Sequence, residues 1–237
     1  MADDSDEFIV EMDCRTPSFR AQTLADGKSL PQEVVDEVVI LELDDENIIV
    51  ILHDVLDDDM IDEIVTSEQD LKRTRTMIRG HPIPRWEICY TNDGKPFSYS
   101  KVKHDSIKYP PHVDKLSDLM LKRFAEMIPE NKYVVRSHGI SLLYSKDLDG
   151  GGSISAHSDV VAMKWGLIAV LSLGQARWMR FRNIETGQFI NAKLRHNSFV
   201  YMYGPTFQKK YTHQIDKLGT NDEVGNRLSI NVRYLEH

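Results

Sequence analysis

From Ser137 to the end of the chain, short apolar segments alternate with turn residues such as Gly, Asn and Asp. Segments of this length are typical of β-strands, because helices need longer periodic stretches. We predict strands near residues 139–145, 154–158, 165–173, 177–183, 187–194, 198–203, 211–215 and 227–235. Many short strands joined by turns pack as a sandwich or a barrel, so this pattern restricts the chain to a mainly β fold.

Two helices are predicted before these strands, which makes the fold class α+β. The aspartates at 57–59 supply N-caps for the first helix, which carries Ile61, Ile64 and Val65 on its apolar face. The second helix follows Pro110–Pro111. Its apolar residues recur near the helical period of 3.6 and are Val113, Leu116, Leu119, Met120, Phe124 and Met127.

Acidic residues are concentrated in the N-terminal part of the chain. We predict an acidic, flexible extension over residues 1–46, within which Val34–Ile40 could still add a strand. Ile48–Leu52 has the composition of a buried strand, so the folded domain is predicted over residues 47–235. The net charge of −8 argues against nucleic-acid binding through bulk positive charge, although it is compatible with a local basic groove.

Cysteine content and hydropathy indicate the cellular location. The two cysteines, Cys14 and Cys89, are too few for a disulfide scaffold or a zinc finger. No apolar run reaches the roughly 18 residues that a membrane-spanning helix needs. We therefore predict an intracellular protein of the cytoplasm or nucleus, with no membrane partner.

Three residues of the strand-rich region have the chemistry of a metal site. His157 and Asp159 are two residues apart and share one face of a strand or strand end, and His213 comes from a later strand. Two imidazoles and one carboxylate form the facial triad of non-haem Fe(II) oxygenases, which leaves positions open for O2 and a chelating co-substrate. A lone His-x-Asp is common by chance, and His112 and Asp114 have the same spacing at the start of the second predicted helix.

Polar residues alternate along the last predicted strand. Arg227, Ser229, Asn231 and Arg233 share one face of it. Such alternation usually means a half-exposed strand with its polar face in water. The alternative is that this face points into the barrel, where Arg offers a bidentate guanidinium to a dicarboxylic co-substrate and Tyr144 is a second donor.

Taken together, these residues resemble the AlkB-like Fe(II)- and 2-oxoglutarate-dependent dioxygenases over residues 84–235. The shared pattern is His-x-Asp, a later His, and then Arg-x-Ser-x-Asn-x-Arg. Further matching pieces are Pro84-Arg85, Phe97–Ser100, the tyrosine of Leu142–Tyr144, and Leu171–Gly174. The resemblance implies a double-stranded β-helix, or jelly-roll barrel, with supporting helices on one side.

The resemblance also implies a division of the domain and a role for each motif residue. Residues 47–136 would carry the N-terminal helices and a substrate lid, and residues 137–235 the double-stranded β-helix. Fe(II), 2-oxoglutarate and O2 are the implied cofactors. Arg227, with help from Tyr144, would hold the distal carboxylate of 2-oxoglutarate, and Arg233 would lie near its metal-bound end. The implied iron ligands are His157, Asp159 and His213, and Ser229 and Asn231 would complete the polar shell.

The substrate is less strongly indicated than the chemistry. The resemblance implies oxidative demethylation of nucleobases in DNA or RNA, with Trp86, Phe97 and Tyr99 in the lid and Phe97 stacking on an extruded base. Arg85 could line a path for the phosphates. Strand core is at least as good an interpretation of each of these aromatic residues.

Departures from the family pattern keep other functions open. Leu142 and Ser229 replace asparagines, and Val160 and Val161 stand where nucleic-acid-directed members carry an acidic residue. The two valines favour the alternative of the same oxidation on a protein side chain or small molecule. A binding module without turnover is a third hypothesis.

Overall fold

The computed structural model describes residues 38–78, 80–99, 102–159, 165–219 and 224–236. Its helices are α1 (Asp58–Gln69), α2 (Pro111–Met127) and α3 (Phe207–Lys210). Its strands are β1 (Val38–Asp44), β2 (Asn47–His53), β3 (Met77–Ile78), β4 (His81–Pro82), β5 (Trp86–Thr91), β6 (Phe97–Tyr99), β7 (Val102–His104), β8 (Ser106–Lys108), β9 (Tyr133–Tyr144), β10 (Ile154–His157), β11 (Trp165–Gly174), β12 (Arg177–Asn183), β13 (Phe189–Leu194), β14 (Ser198–Tyr203), β15 (Tyr211–Ile215) and β16 (Arg227–Glu236).

The larger of the two main sheets has eight strands in the order β1-β2-β14-β11-β16-β9-β5-β8. Neighbouring strands run antiparallel except β5 and β8, which are parallel. Strand β16, which carries the arginines, lies between β11 and β9. Because side chains alternate between the two faces of a sheet, the residues of β16 contact the helices on one face and the interior between the sheets on the other. Ile230, Val232 and Tyr234 pack on the helix side of this sheet.

The smaller main sheet has four strands in the order β10-β15-β12-β13. Residues of both sheets, such as Ile168 and Val200 from the larger and Phe181 and Leu194 from the smaller, form one buried cluster between them. The predicted jelly-roll architecture is confirmed. Over the described residues, the two sheets face each other as separate hydrogen-bonded units and do not close into a continuous barrel.

The two long helices cover the outer face of the larger sheet. The apolar side of α2 is buried there, and the hydroxyl groups of Tyr201 and Tyr234 donate to the carbonyl oxygens of Met120 and Ser117 at 2.9 and 2.7 Å. The side chain of Asp57 accepts a hydrogen bond from the backbone N–H of Met60 at 2.8 Å and caps α1 as predicted. No helix in the described ranges is long and apolar enough to cross a membrane.

The N-terminal boundary differs from the prediction. Val38–Asp44, assigned above to the flexible extension, is strand β1 and pairs along its length with β2. Its alternating apolar side chains pack against both buried clusters, which explains why it is ordered despite the acid around it. Residues 1–37 lie outside the described part of the chain. Because β2, β5 and β8 join the larger sheet together with β9, β11, β14 and β16, that sheet draws on both predicted halves of the domain.

Candidate metal and co-substrate site

The structure brings His157, Asp159 and His213 together. His157 ends β10 and is the direct antiparallel partner of His213 on β15, so the register of two strands places their rings 4.3 Å apart. Asp159 follows two residues after His157. One ligand atom from each residue lies within 4.8 Å of the others, and His157 Nε2 is 3.9 Å from Asp159 Oδ1. One metal ion could therefore be bound by all three.

Neighbouring groups orient two of these three side chains. Nδ1 of His157 donates to the carbonyl oxygen of Ser155 at 2.9 Å, which leaves the Nε2 lone pair free for a metal. Arg233 donates from Nε and Nη2 to Asp159 Oδ2 at 2.9 and 2.7 Å, so the other oxygen faces His157. The backbone N–H of Asp159 donates to Gln208 Oε1 at 2.8 Å. Arg233 was predicted near the co-substrate, and its observed contact is with Asp159.

Burial keeps both imidazoles neutral. It lowers the pKa of His213 to about 3, and it also lowers the pKa of His157. Metal ions bind the neutral imidazole, whose ring nitrogen carries the lone pair. Nδ1 of His213 is buried and has no hydrogen-bond partner among the described residues. The donor set therefore fits a divalent metal that accepts nitrogen and oxygen ligands.

Arg227 forms a second feature of the site. Its side chain is 1% exposed, its Nε donates to Ser172 Oγ at 2.9 Å, and its guanidinium lies 4.9 Å from the centre of the Tyr144 ring. Nη1 is buried without a hydrogen-bond partner, and no described acidic side chain forms an ion pair with it. Burial lowers the pKa of Arg227. Because an unpartnered buried donor is costly, this guanidinium is suited to an anionic ligand.

The polar face of β16 is directed into the protein. Arg227, Ser229, Asn231 and Arg233 all line one cavity of about 290 Å³ between the two sheets. Asn231 Nδ2 donates to the carbonyl oxygen of Ile140 at 3.0 Å and to Ser229 Oγ at 3.3 Å. The usual interpretation of such alternation, a polar face in water, is therefore wrong for this strand, because its other face is covered by the helix layer.

The predicted substrate residues have different positions. Arg85 lines the cavity, whereas Trp86 and Phe97 do not. Trp86 is partly exposed, with the Arg75 guanidinium 5.6 Å from its ring, and Phe97 packs against the rings of His104 and His138 with centroids 5.6 and 4.6 Å away. The side chain of Tyr99 and residues Val160 and Val161 lie outside the described part of the structure.

Arg177 supports residues near the cavity without lining it, a role that the sequence did not reveal. Its buried guanidinium donates to the carbonyl oxygens of Gly151 and Gly152 at 3.1 and 2.6 Å and also to that of Asp216. It lies 5.7 Å from the ring centre of Tyr144, the same ring that Arg227 contacts. Arg177 thus fixes the glycine-rich loop, residues 149–153, near Tyr144. The signal in the sequence that could have indicated this role is the run of glycines, because their carbonyl oxygens need hydrogen-bond donors when they are buried.

The glycine-rich loop in turn contacts the segment that carries Arg85. Ser153 donates its backbone N–H to the carbonyl oxygen of Pro84 at 3.1 Å. Gly152 has φ of +78°, and a Cβ atom there would lie 2.4 Å from that same oxygen. Only glycine combines this backbone conformation with so close an approach. The loop therefore helps to fix the wall of the cavity next to the metal site.

Comparisons with known proteins agree with this geometry. The family model of the 2OG-Fe(II) oxygenase superfamily matches residues 49–233. The fold is similar to that of an oxidoreductase of the 2OG-Fe(II) oxygenase family from Burkholderia pseudomallei, with 14% identity, a TM-score of 0.57, and coverage of 80% of this chain and 86% of that one. It is also similar to OsALKBH1, with 13% identity, a TM-score of 0.56, and coverage of 78% of this chain and 97% of that one. No curated protein sequence matches the chain.

These findings confirm the oxygenase family inferred from the sequence, and the likeness to OsALKBH1 agrees with the AlkB-like resemblance. The matched range contains the three candidate metal ligands and the arginines of β16. The chain belongs to the 2OG-Fe(II) oxygenase superfamily and is a dioxygenase that uses Fe(II), 2-oxoglutarate and O2.

Proposed function

We propose that this dioxygenase oxidatively demethylates alkylated nucleobases in DNA or RNA. The observation that carries the proposal is the cavity itself, which joins the His157–Asp159–His213 cluster to a wall that holds Arg85 and other polar side chains. A base is a flat, mostly apolar group with hydrogen-bonding edges, and such a mixed lining suits it. The fold similarity to OsALKBH1, an AlkB homologue by name, supports the same substrate class.

In this proposal His157, Asp159 and His213 hold the Fe(II). When bound, Fe(II) supplies the oxidation, in which 2-oxoglutarate and O2 give succinate and CO2 while the second oxygen atom turns N–CH3 into N–CH2OH, which releases formaldehyde and leaves N–H. Arg233 keeps Asp159 oriented through its two hydrogen bonds to Oδ2.

The residues of the larger sheet hold and shield the co-substrate. Arg227 offers its unpartnered Nη1 to the distal carboxylate of 2-oxoglutarate, and Tyr144 packs against the same guanidinium. Ser229 and Asn231 supply further polar groups along the same face. Apolar side chains such as Ile168 fill the remaining wall and exclude water, which strengthens the charge interactions inside.

A second candidate function is the same oxidation of a protein side chain or a small molecule. It is favoured by the position of Phe97, because the residue predicted to stack on an extruded base packs against His104 and His138 and does not line the cavity. A binding module that has lost turnover is distinguished from both by the absence of succinate formation.

The test is a substrate panel scored for two products. Purified protein with Fe(II), 2-oxoglutarate and O2 is incubated with single- and double-stranded DNA and RNA oligonucleotides carrying N-methylated bases. The proposal predicts formaldehyde and succinate in equal amounts, with unmethylated oligonucleotides of the same sequence as control. Substrate-dependent succinate formation with methylated peptides, and none with any oligonucleotide, would replace the proposal with the second candidate.

A further inference from the structure

Glu87 is a buried carboxylate in the wall of the cavity and belongs to none of the motifs described above. It lies on β5, two residues after Arg85, is 5% exposed and lines the same cavity as the three candidate metal ligands. Its direct neighbour on β9 is Leu142, the position at which this chain lacks the asparagine of the family pattern. A charged side chain is seldom buried in this way unless it has partners or a ligand.

The partners of Glu87 hold one of its oxygens and leave the other open. Thr76 donates its hydroxyl to Oε1, and His104 Nδ1 lies 3.5 Å from the same atom. No side chain in the described ranges hydrogen-bonds Oε2. Burial acts to raise the pKa of Glu87, but the hydrogen bonds from His104 and Thr76 and the charge of Arg85 outweigh it, so the pKa is lowered. The group is therefore an ionised carboxylate with one oxygen available to a ligand.

Arg85 supplies a donor beside this acceptor. Its Nε is buried and has no hydrogen-bond partner in the described part of the chain. Arg85 and Glu87 are two residues apart in sequence and line the same cavity as His157. The charge of Arg85 acts to lower the pKa of Glu87. The wall next to the metal site thus presents an acceptor and a donor side by side. A nucleobase edge presents the same two kinds of group.

We propose that Glu87 determines the specificity of this site by accepting a hydrogen bond at Oε2 from an amino group on the edge of the target base. This inference rests on the proposed function and assigns the selection of the base to a residue of β5. An amino group and a carboxylate form a charge-assisted hydrogen bond, which is stronger than a neutral one. A base with a carbonyl oxygen at the same position would place two acceptors against each other and leave both unsatisfied.

The proposal predicts a preference that a matched pair of substrates can measure. N3-methylcytosine and N3-methyluracil differ in the amino or carbonyl group at position 4, and only the first carries a positive charge at neutral pH. We expect the wild-type enzyme to prefer N3-methylcytosine by at least about tenfold, since one charge-assisted hydrogen bond is worth roughly that factor or more. The preference should appear in initial rates of formaldehyde release.

The variant Glu87→Gln tests the residue. Gln keeps an oxygen for Thr76 but removes the charge and adds a donor. We expect the ratio of the two rates to fall by at least about tenfold. A second readout is oligonucleotide affinity, measured by fluorescence anisotropy with Mn(II) and N-oxalylglycine bound so that no turnover occurs. Glu63→Gln removes the same charge from an exposed position on α1. This control should leave the ratio of the two rates and the oligonucleotide affinity unchanged.

Each outcome is decisive. If the wild type demethylates both oligonucleotides and Glu87→Gln keeps its preference, the assignment of Glu87 is overturned while the proposed function stands. If no oligonucleotide is demethylated but methylated peptides are, both proposals fall. Thermal unfolding of Glu87→Gln controls for misfolding. If that variant proves unstable, Thr76→Val replaces it as the test. This variant removes the hydrogen bond to Oε1 and should also lower the ratio of the rates on N3-methylcytosine and N3-methyluracil.

Discussion

Replacing Glu68 with Gln should strongly destabilise the fold, because this carboxylate joins both long helices to the larger sheet. Glu68 lies in the last turn of α1 and is 1% exposed. Its Oε1 accepts from Tyr90 Oη and His112 Nε2 at 2.7 and 2.9 Å. Its Oε2 accepts from Arg73 Nη2 and Ser141 Oγ at 2.5 and 2.6 Å. Four donors from α2, β5, β9 and the segment after α1 therefore meet one carboxylate.

The size of the effect follows from these contacts. The amide of Gln replaces one oxygen with an NH2 group, so two of the four hydrogen bonds are lost and donors face each other. Arg73 also loses its ion-pair partner in a buried setting. Removing one partner from a buried ion pair typically costs about 3–5 kcal/mol, and the lost hydrogen bonds are part of that figure. With a urea slope of about 2.5 kcal/mol/M, the unfolding midpoint should fall by roughly 1–2 M.

The same carboxylate should make stability depend on pH. Burial acts to raise the pKa of Glu68, but hydrogen bonds from His112, Ser141 and Tyr90 and the charge of Arg73 outweigh it, so its folded pKa lies below the ordinary value of 4.5. Its contribution to stability is complete above pH 4.5 and is lost as the pH falls through the folded pKa. The difference between wild type and Glu68→Gln should therefore shrink in acid.

Urea unfolding followed by circular dichroism at neutral and acidic pH measures both effects. Glu63→Gln breaks only an exposed ion pair with Lys115 and should change the free energy of unfolding by less than about 0.5 kcal/mol. A loss below about 1 kcal/mol for Glu68→Gln, at an unchanged urea slope, would refute the reasoning that this network couples the helices to the sheet.

Three further predictions concern the site. His157→Ala should abolish succinate formation and leave the thermal unfolding temperature within a few degrees of wild type; normal turnover would argue against the metal assignment. Arg227→Lys should raise the Kd for 2-oxoglutarate by about 10–100-fold, because Lys keeps the charge but loses the forked donors. Isothermal titration with Mn(II) measures this, and an unchanged Kd would contradict the assignment. Gly152→Ala should destabilise the fold by about 1–3 kcal/mol in urea unfolding and weaken substrate binding, because its Cβ would meet the Pro84 carbonyl oxygen at a positive φ. Unchanged unfolding and substrate binding would show that the loop adapts.

Much of the fold could be predicted from sequence because it depends on local periodicity. Strands β10, β12 and β15 lie within a residue of their predicted limits, and the second helix begins at Pro111, one residue earlier than predicted. The candidate metal cluster was also predictable, since His157 and Asp159 are close in sequence and His213 lies on a recognisable strand. These features require only the alternation of side chains and the preferences of single residues.

The remaining features depend on contacts between residues that are distant in sequence. Glu87 gains its position from pairing with β9, and the contacts that fix it come from Thr76 and His104 on other segments. Arg177 binds loop carbonyl oxygens that are 25 or more residues away. Neither residue belongs to a short motif, so its role could be seen only once the register of the sheets was known.

In the proposed function, different parts of this structure carry the chemistry and the choice of substrate. Arg233 on β16 holds Asp159 beside β10, so the strand that carries Arg227 also fixes a candidate metal ligand. Substitutions in this strand should therefore disturb metal and co-substrate binding together. A neighbouring part of the cavity wall is built by Arg85 and by Glu87 on β5, two strands away from β16 near one edge of the same sheet. Because this part of the wall contributes no candidate metal ligand, changes there can alter the preferred substrate while the oxidation is retained.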